Sequence, residues 1–191
     1  MRDYELALLE EIRRGETRKY ALLVDRYKVR GLALALRILR TREDAEEVLQ
    51  DAFVRAFHAL NDFRGDSSFG TWFYRILYNL CLTRVRVSHG MVETPNRLDE
   101  PAMQQLAAVD GGDISSIEDR DLAQLLESEL DKLPDMYRIP MTLFYLQQRT
   151  YAEISTITEI PLGTVKTNLH RARLILRKQV MAILKQEGTM A

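Results

Sequence analysis

The amino-acid sequence predicts an all-α protein of two small helical domains, an N-terminal helical bundle and a C-terminal helix-turn-helix domain, joined by an acidic flexible linker. Three observations predict it. Apolar residues recur at helical spacing on both sides of one interruption, no segment alternates with the period of two that a strand needs, and the interruption has a linker's composition. A chain of 191 residues is long enough for one ordinary domain or two small ones, so length leaves that choice to composition. With 46% hydrophobic and 29% charged residues, the chain has the make-up of a helix-rich globular protein rather than a disordered one.

The first domain spans residues 1–88. "DYELALLEEIRR" is amphipathic, with Leu6, Leu9 and Arg13 marking its turns, and Gly15 ends it before a second helix from about Glu16 to Leu39. Thr41 with Asp44 reads as a capping box opening "REDAEEVLQDAFVRAFHAL". Val48, Ala52, Ala56 and Ala59 or Leu60 then face a core, which leaves Glu46, Glu47, Gln50 and Asp51 on an acidic outer surface. "NDFRGDSSFGTW" breaks the pattern and reads as a loop leading into a last helix, "TWFYRILYNLCLTRVRV". Most of the aromatic residues crowding this junction are expected in the core, Trp72 beneath the loop among them.

Residues 89–117 form the expected linker. From Ser88 to Ile117 two prolines, three glycines and five acids stand against one arginine, with at best a short helix around Ala102 to Ala108.

The second domain, 118–191, resumes helical periodicity in "EDRDLAQLLESELDKL" and "PDMYRIPMTLFYLQQR". Pro134 suits a first helical turn, whereas Pro140 is expected to kink or split its helix. Thr150 and Glu153 form a second capping box for a short helix whose inner face is Ile154 and Ile157. Pro161 fits the start of a longer helix whose Val165, Leu169, Ala172 and Leu176 make one continuous inner stripe. From Pro161 to Gln186 that helix carries six basic residues and no acidic one. A short helix, a tight turn and a basic helix describe a helix-turn-helix, whose second helix enters a DNA major groove. Lys166, Thr167, Asn168 and His170 suit base edges, and Arg171 suits guanine or a phosphate. Arg173, Arg177 and Lys178, further along, suit phosphates. The bland alternative is a solvated basic helix that closes a bundle.

Several chemistries are excluded at this level. Cys81 is the only cysteine, so no intrachain disulfide and no thiolate zinc site can form; it reads as a small buried hydrophobe. His58, His89 and His170 show no metal-ligand spacing, and no nucleophile-base pair or phosphate loop appears. No metal, cofactor, catalytic residue or small-molecule substrate is therefore expected. No apolar run approaches the ~20 residues that cross a bilayer, and the N-terminus is too charged for a secretory signal, so no membrane insertion and a cytoplasmic location are expected.

"YAEISTITEIPLGTVKTNLHRARLILRK" closely resembles the C-terminal promoter-binding domain of bacterial RNA polymerase sigma factors of the extracytoplasmic-function group, in the sigma-70 family. "EDAEEVLQDAFVRAFHALNDFRGDSSFGTWFYRILYN" resembles the same group's N-terminal domain. The resemblance covers both helical domains in the right order and leaves the acidic linker unmatched. It implies that the basic helix reads the minus-35 element and that the first domain opens the minus-10 element. Glu47, Gln50 and Asp51 match residues that contact the helical clamp of the polymerase beta-prime subunit. Asn61, Phe63, Arg64, Asp66 and Ser67 match the loop that captures an unstacked minus-10 base, and Arg75, Tyr78, Asn79, Arg84 and Arg86 would hold the strands beyond it. The partners it implies are core polymerase, through the beta-prime clamp helices and the beta flap, promoter DNA, and an anti-sigma factor that can hold the protein at the inner membrane.

Two departures from the family pattern carry expectations. Arg75 and Ile76 stand where primary sigma factors have neighbouring tryptophans, which implies stricter promoter demands and a narrow regulon. Glu159 replaces the glycine common in the helix-turn-helix turn, and Gln148 and Arg149 replace a glycine-containing turn, so both turns are expected to be strained or altered. The nearest rival reading is a helix-turn-helix regulator that binds an operator without being a polymerase subunit. A nucleic-acid enzyme is more distant.

Overall fold

The computed structural model describes residues 2–88 and 120–188. The expected linker at 89–117, its short helix around 102–108 and the boundary at 118 lie outside the described residues. Every regular element among the described residues is helical.

Helix α1 (Arg2–Arg13) ends before Gly15, whose φ of 109° favours glycine. Its inner face is Leu8, Leu9 and Ile12, whereas Leu6 is 41% exposed. The helix is turned so that Glu5 is buried instead, where it accepts a 2.6 Å hydrogen bond from the Tyr27 hydroxyl and pairs with Arg26 at 3.2 Å. A carboxylate paired in this way can be buried, which helical periodicity alone does not show.

A single 3-10 turn (Thr17–Lys19) leads into α2 (Tyr20–Leu39), whose Leu23, Tyr27, Gly31, Leu34 and Ile38 are buried. A Cβ on Gly31 would lie 2.7 Å from Cδ1 of Leu49, so the missing side chain lets α2 approach α3 (Arg42–His58). The capping box expected at the start of α3 does not form. Thr41 donates its hydroxyl to the Asp44 carboxylate at 2.6 Å and accepts no backbone N–H, because Asp44 is drawn to Arg84, 2.7 Å away. The predicted core face of α3 holds, with Val48, Ala52 and Ala56 buried and Glu47, Gln50 and Asp51 exposed.

A second 3-10 turn (Leu60–Asp62) and a loop connect to α4 (Phe69–Ser88). Rings interlock at this junction: Phe53 stacks on Phe73 with centroids 4.5 Å apart, and Phe63 meets Trp72 at 5.1 Å. Cys81 is buried, and burial pushes its thiol up to about 12, so it packs as an inert hydrophobe.

In the second domain, α5 (Arg120–Lys132) precedes α6 (Asp135–Met141). Pro140 sits inside α6 without splitting it. The helix instead widens directly into a π turn over Thr142–Leu146, closed by the Gln147 N–H on the Thr142 carbonyl at 3.2 Å. Gln148 follows at φ 54°, in the left-handed region. Helices α7 (Tyr151–Thr158) and α8 (Leu162–Gly188) complete the chain, with Ile154, Ile157, Val165, Leu169, Ala172 and Leu176 buried as the pattern requires.

The two halves pack against each other, α7 on α4 and α6 on α2. Arg138, only 1% exposed, donates to the Arg37 carbonyl at 3.0 Å and the Leu133 carbonyl at 2.9 Å and pairs with Asp135. Tyr74 donates to Gln147 Oε1 at 2.6 Å while Gln147 Nε2 donates to the Arg30 carbonyl at 2.8 Å. Buried polar groups thus pair across the two domains beside an apolar core that both share, and helical periodicity gives no sign of such pairing.

Candidate nucleic-acid interface

The helix-turn-helix is built from its caps inward. Thr150 Oγ1 accepts from the Glu153 N–H at 3.3 Å and the Glu153 carboxylate accepts from the Thr150 N–H at 2.9 Å, the reciprocal capping box expected there. Helix α7 ends at Glu159, which takes φ 60° and ψ 18° without being glycine. Ser155 donates to the Ile160 carbonyl at 2.6 Å and helps to hold the turn. The buried stripe of α8 then fixes which residues remain outside.

Lys166, Thr167, Arg177 and Lys178 are exposed, and His170 and Arg171 half-exposed. Asn168 is only 4% exposed, on the inner side of the helix next to Leu169, so its amide has little surface to offer a base edge. Arg173 has partners within the protein. Its guanidinium donates to the hydroxyls of Tyr145 at 3.0 Å and Tyr151 at 2.9 Å and lies over the Phe144 ring, 5.4 Å from the centroid. Burial works against its charge, but the two phenol oxygens outweigh it and raise the pKa. Held in this way, the side chain braces α8 against the π turn and α7.

In the first domain, the loop presents Asn61, Arg64 and Asp66 to solvent and Ser67 partly so. Phe63, expected to stack on an unpaired base, is 6% exposed and packs on Phe69 and Trp72. Tyr78 is 1% exposed inside the core, where burial pushes its hydroxyl up to about 12. Both aromatics pack in the core of the first domain. Asn79 is exposed and lines, with Arg55 and Thr83, a shallow groove of about 290 Å³ between α3 and α4. Arg86 is half-buried.

Arg84 and Arg75, two predicted cations of the first domain, pair with carboxylates. Arg84 bridges Asp44 and Glu47, each at 2.7 Å, and its hydrogen bond and charge hold the Glu47 carboxyl below its ordinary value. Arg84, expected on the DNA-holding surface, thus shares an ion pair with Glu47, expected on the polymerase-binding surface. Arg75 pairs with Glu159 of the helix-turn-helix turn at 2.7 Å.

Three contacts escaped the sequence pattern. Arg13 reaches 47 residues along the chain to the Leu60 carbonyl. Arg149 lies over Tyr74, 5.2 Å from its centroid, and contacts Ser68. Glu153, beyond its capping role, accepts from Thr71 at 2.7 Å. Each contact joins residues far apart in the chain, and no local pattern announces it. Among the described residues no cluster of His, Cys, Asp and Glu is placed to hold a metal ion, and no helix is long and apolar enough to cross a membrane.

Comparison with known proteins agrees with this arrangement. Residues 23–89 match the family model for sigma-70 region 2, and residues 123–176 match that for sigma-70 region 4. The chain is 32% identical over 176 residues to the ECF RNA polymerase sigma factor SigW of Bacillus subtilis, covering 90% of this chain and 94% of the relative. It is 31% identical over 188 residues to the RNA polymerase sigma-H factor of Pseudomonas aeruginosa, covering 94% and 95% of the two chains. It is also 31% identical over 186 residues to the ECF RNA polymerase sigma-E factor of Escherichia coli K12, with the same coverage. In fold it is similar to CnrH, solved in complex with the cytosolic domain of CnrY, at a TM-score of 0.63 and 24% identity over 92% of this chain and 96% of that one. The sigma factor RpoE of Bartonella quintana, solved with the anti-sigma factor NepR, follows at 0.57 and 20% over 88% and 98%. The chain belongs to the extracytoplasmic-function group of the sigma-70 family of RNA polymerase sigma factors.

Proposed function

We propose that this sigma factor grips a promoter at two points while attached to core polymerase. The exposed face of α3, Glu47, Gln50 and Asp51, docks on the beta-prime clamp helices, and the second domain reaches the beta flap. The α8 surface formed by Lys166, Thr167, His170 and Arg171 reads the minus-35 element, with Arg177 and Lys178 on phosphates. Asn61, Arg64, Asp66 and Ser67 take the minus-10 base, and Asn79 and Arg86 hold the strand. Phe63, Tyr78, Asn168 and Arg173 are scaffold in this reading, because their buried or hydrogen-bonded side chains have little to offer DNA. Arg75 joins the DNA-holding set when phosphate replaces Glu159 as its partner. The observation that carries the reading is the separation of an exposed acidic face on α3 from an exposed basic face on α8, each in the half that matches the corresponding sigma region.

The protein catalyses no bond chemistry itself in this reading; it acts in the cytoplasm as a dissociable subunit. An anti-sigma factor holds it inactive, a reading supported by the complex of RpoE, a sigma factor of this fold, with the anti-sigma factor NepR. Transcription reconstituted from core polymerase and a promoter taken from the source genome tests the assignment. Initiation should depend on the protein, and Glu47→Lys with Asp51→Lys should abolish core binding. If the double variant binds core polymerase normally, α3 is not the docking face. An operator-binding regulator would instead bind DNA tightly without polymerase.

A further inference from the structure

Arg13, at the end of α1, lies ahead of the segment matched by the region 2 family model. Its guanidinium donates from Nε and Nη2 to the Leu60 carbonyl, at 3.1 and 2.8 Å, and from Nη2 to the Phe63 carbonyl. These two carbonyls bracket the 3-10 turn that presents Asn61 and Asp62 to solvent. A guanidinium is a planar fork whose N–H groups can hold two acceptors at once. The turn's own backbone bonds are Asp62 N–H to the Ala59 carbonyl at 3.0 Å and Phe63 N–H to the Leu60 carbonyl at 3.3 Å. Buried Phe63 anchors its exit below.

We infer that Arg13 is a positioning residue for minus-10 recognition: the α1 fork sets the backbone of the 60–63 turn so that the exposed side chains meet an unstacked base in a fixed orientation. The inference rests on the proposed role of that loop. Capturing a flipped base costs a few kcal/mol of unstacking, which only well-aligned contacts return. A turn free to shift would still bind single-stranded DNA, but it would discriminate poorly among bases. Arg13 therefore acts on specificity at the captured position more than on affinity.

The test uses the full chain with core polymerase on promoters that carry each base at the captured position, reading initiation rate and permanganate reactivity of the melted strand. Wild type should prefer one base. Arg13→Gln, which loses a charge-assisted pair of bonds, should reduce that preference about tenfold. Its core binding and its affinity for minus-35 DNA should stay at the wild-type level. Arg13→Lys keeps the charge without the fork and should resemble Arg13→Gln. Full rescue by Arg13→Lys would overturn the inference, because charge alone would suffice. Equal loss on every base, or loss of core binding and melting temperature together, would make Arg13 a general stabiliser and also overturn it. If wild type initiates nowhere, the sigma reading itself fails; if it initiates with a base preference that Arg13→Gln retains, only this inference does.

Discussion

Arg173 and Lys178 carry the same formal charge on the same helix, yet their surroundings differ. Arg173 is held by two tyrosine hydroxyls and an aromatic face, whereas Lys178 is exposed. Arg173→Ala should lower stability by ~1–2 kcal/mol, from lost hydrogen bonds and ring contact, and leave the salt dependence of DNA binding nearly unchanged. Lys178→Ala should do the reverse, reducing the salt slope by about one while thermal denaturation barely moves. Denaturation curves and salt titrations of a DNA complex separate the two, and a changed slope for Arg173→Ala would return it to the DNA surface. The sequence could not make this distinction, because Tyr145 and Tyr151 lie 28 and 22 residues from Arg173. It could place Val165, Leu169, Ala172 and Leu176 inside, because burial along one helix is a periodic, local property. Asn168 marks the limit of that logic: its polarity suggested a DNA contact, while its position beside the buried stripe made it part of the interior.

At the scale of the element, the turn between α7 and α8 was legible because a left-handed residue must end the first helix there. Glu159 adopts that conformation at φ 60°, which costs a residue with a Cβ ~1 kcal/mol or more. Its ion pair with Arg75 is half-exposed on both sides, and such pairs contribute ~1 kcal/mol at most. Relief of backbone strain therefore matches or exceeds loss of the pair, and Glu159→Gly should leave the melting temperature unchanged or raise it. A fall of more than ~4 °C would show the ion pair to be the larger effect. The same substitution removes a negative charge beside α8, the proposed DNA-reading helix, and frees Arg75, so non-specific DNA affinity should rise. The start of α3 was misread for a related reason: Thr41 and Asp44 have the spacing of a capping box, but Arg84, 40 residues away, takes the carboxylate.

Across the whole molecule, the packing of one domain on the other was the least legible feature, since it joins residues 70 to 120 positions apart. Glu153 stands at its centre. Burial raises its pKa, but hydrogen bonds from Thr71, the Thr150 N–H and the Thr150 hydroxyl, with the Arg149 charge, outweigh that and bring it from 4.5 to about 2. A carboxylate depressed in the folded state stabilises fully above its unfolded pKa and loses that contribution as pH falls through the folded value. The stability advantage of wild type over Glu153→Gln should thus be constant above pH ~5 and shrink between about 4.5 and 2, measured by denaturant unfolding across that range. A difference that stays flat to pH 2 would deny Glu153 this role. The polar character of the interface also has a kinetic and thermodynamic side. Two domains on one chain meet each other at a local concentration on the order of millimolar, so even a contact of millimolar intrinsic strength is near half occupied. Each ~1.4 kcal/mol gained or lost there, the scale of one buried hydrogen bond such as Tyr74 to Gln147, moves the ratio of docked to undocked molecules tenfold. Any polymerase or DNA surface that needs the domains apart competes with a built-in rival whose strength one side chain can tune.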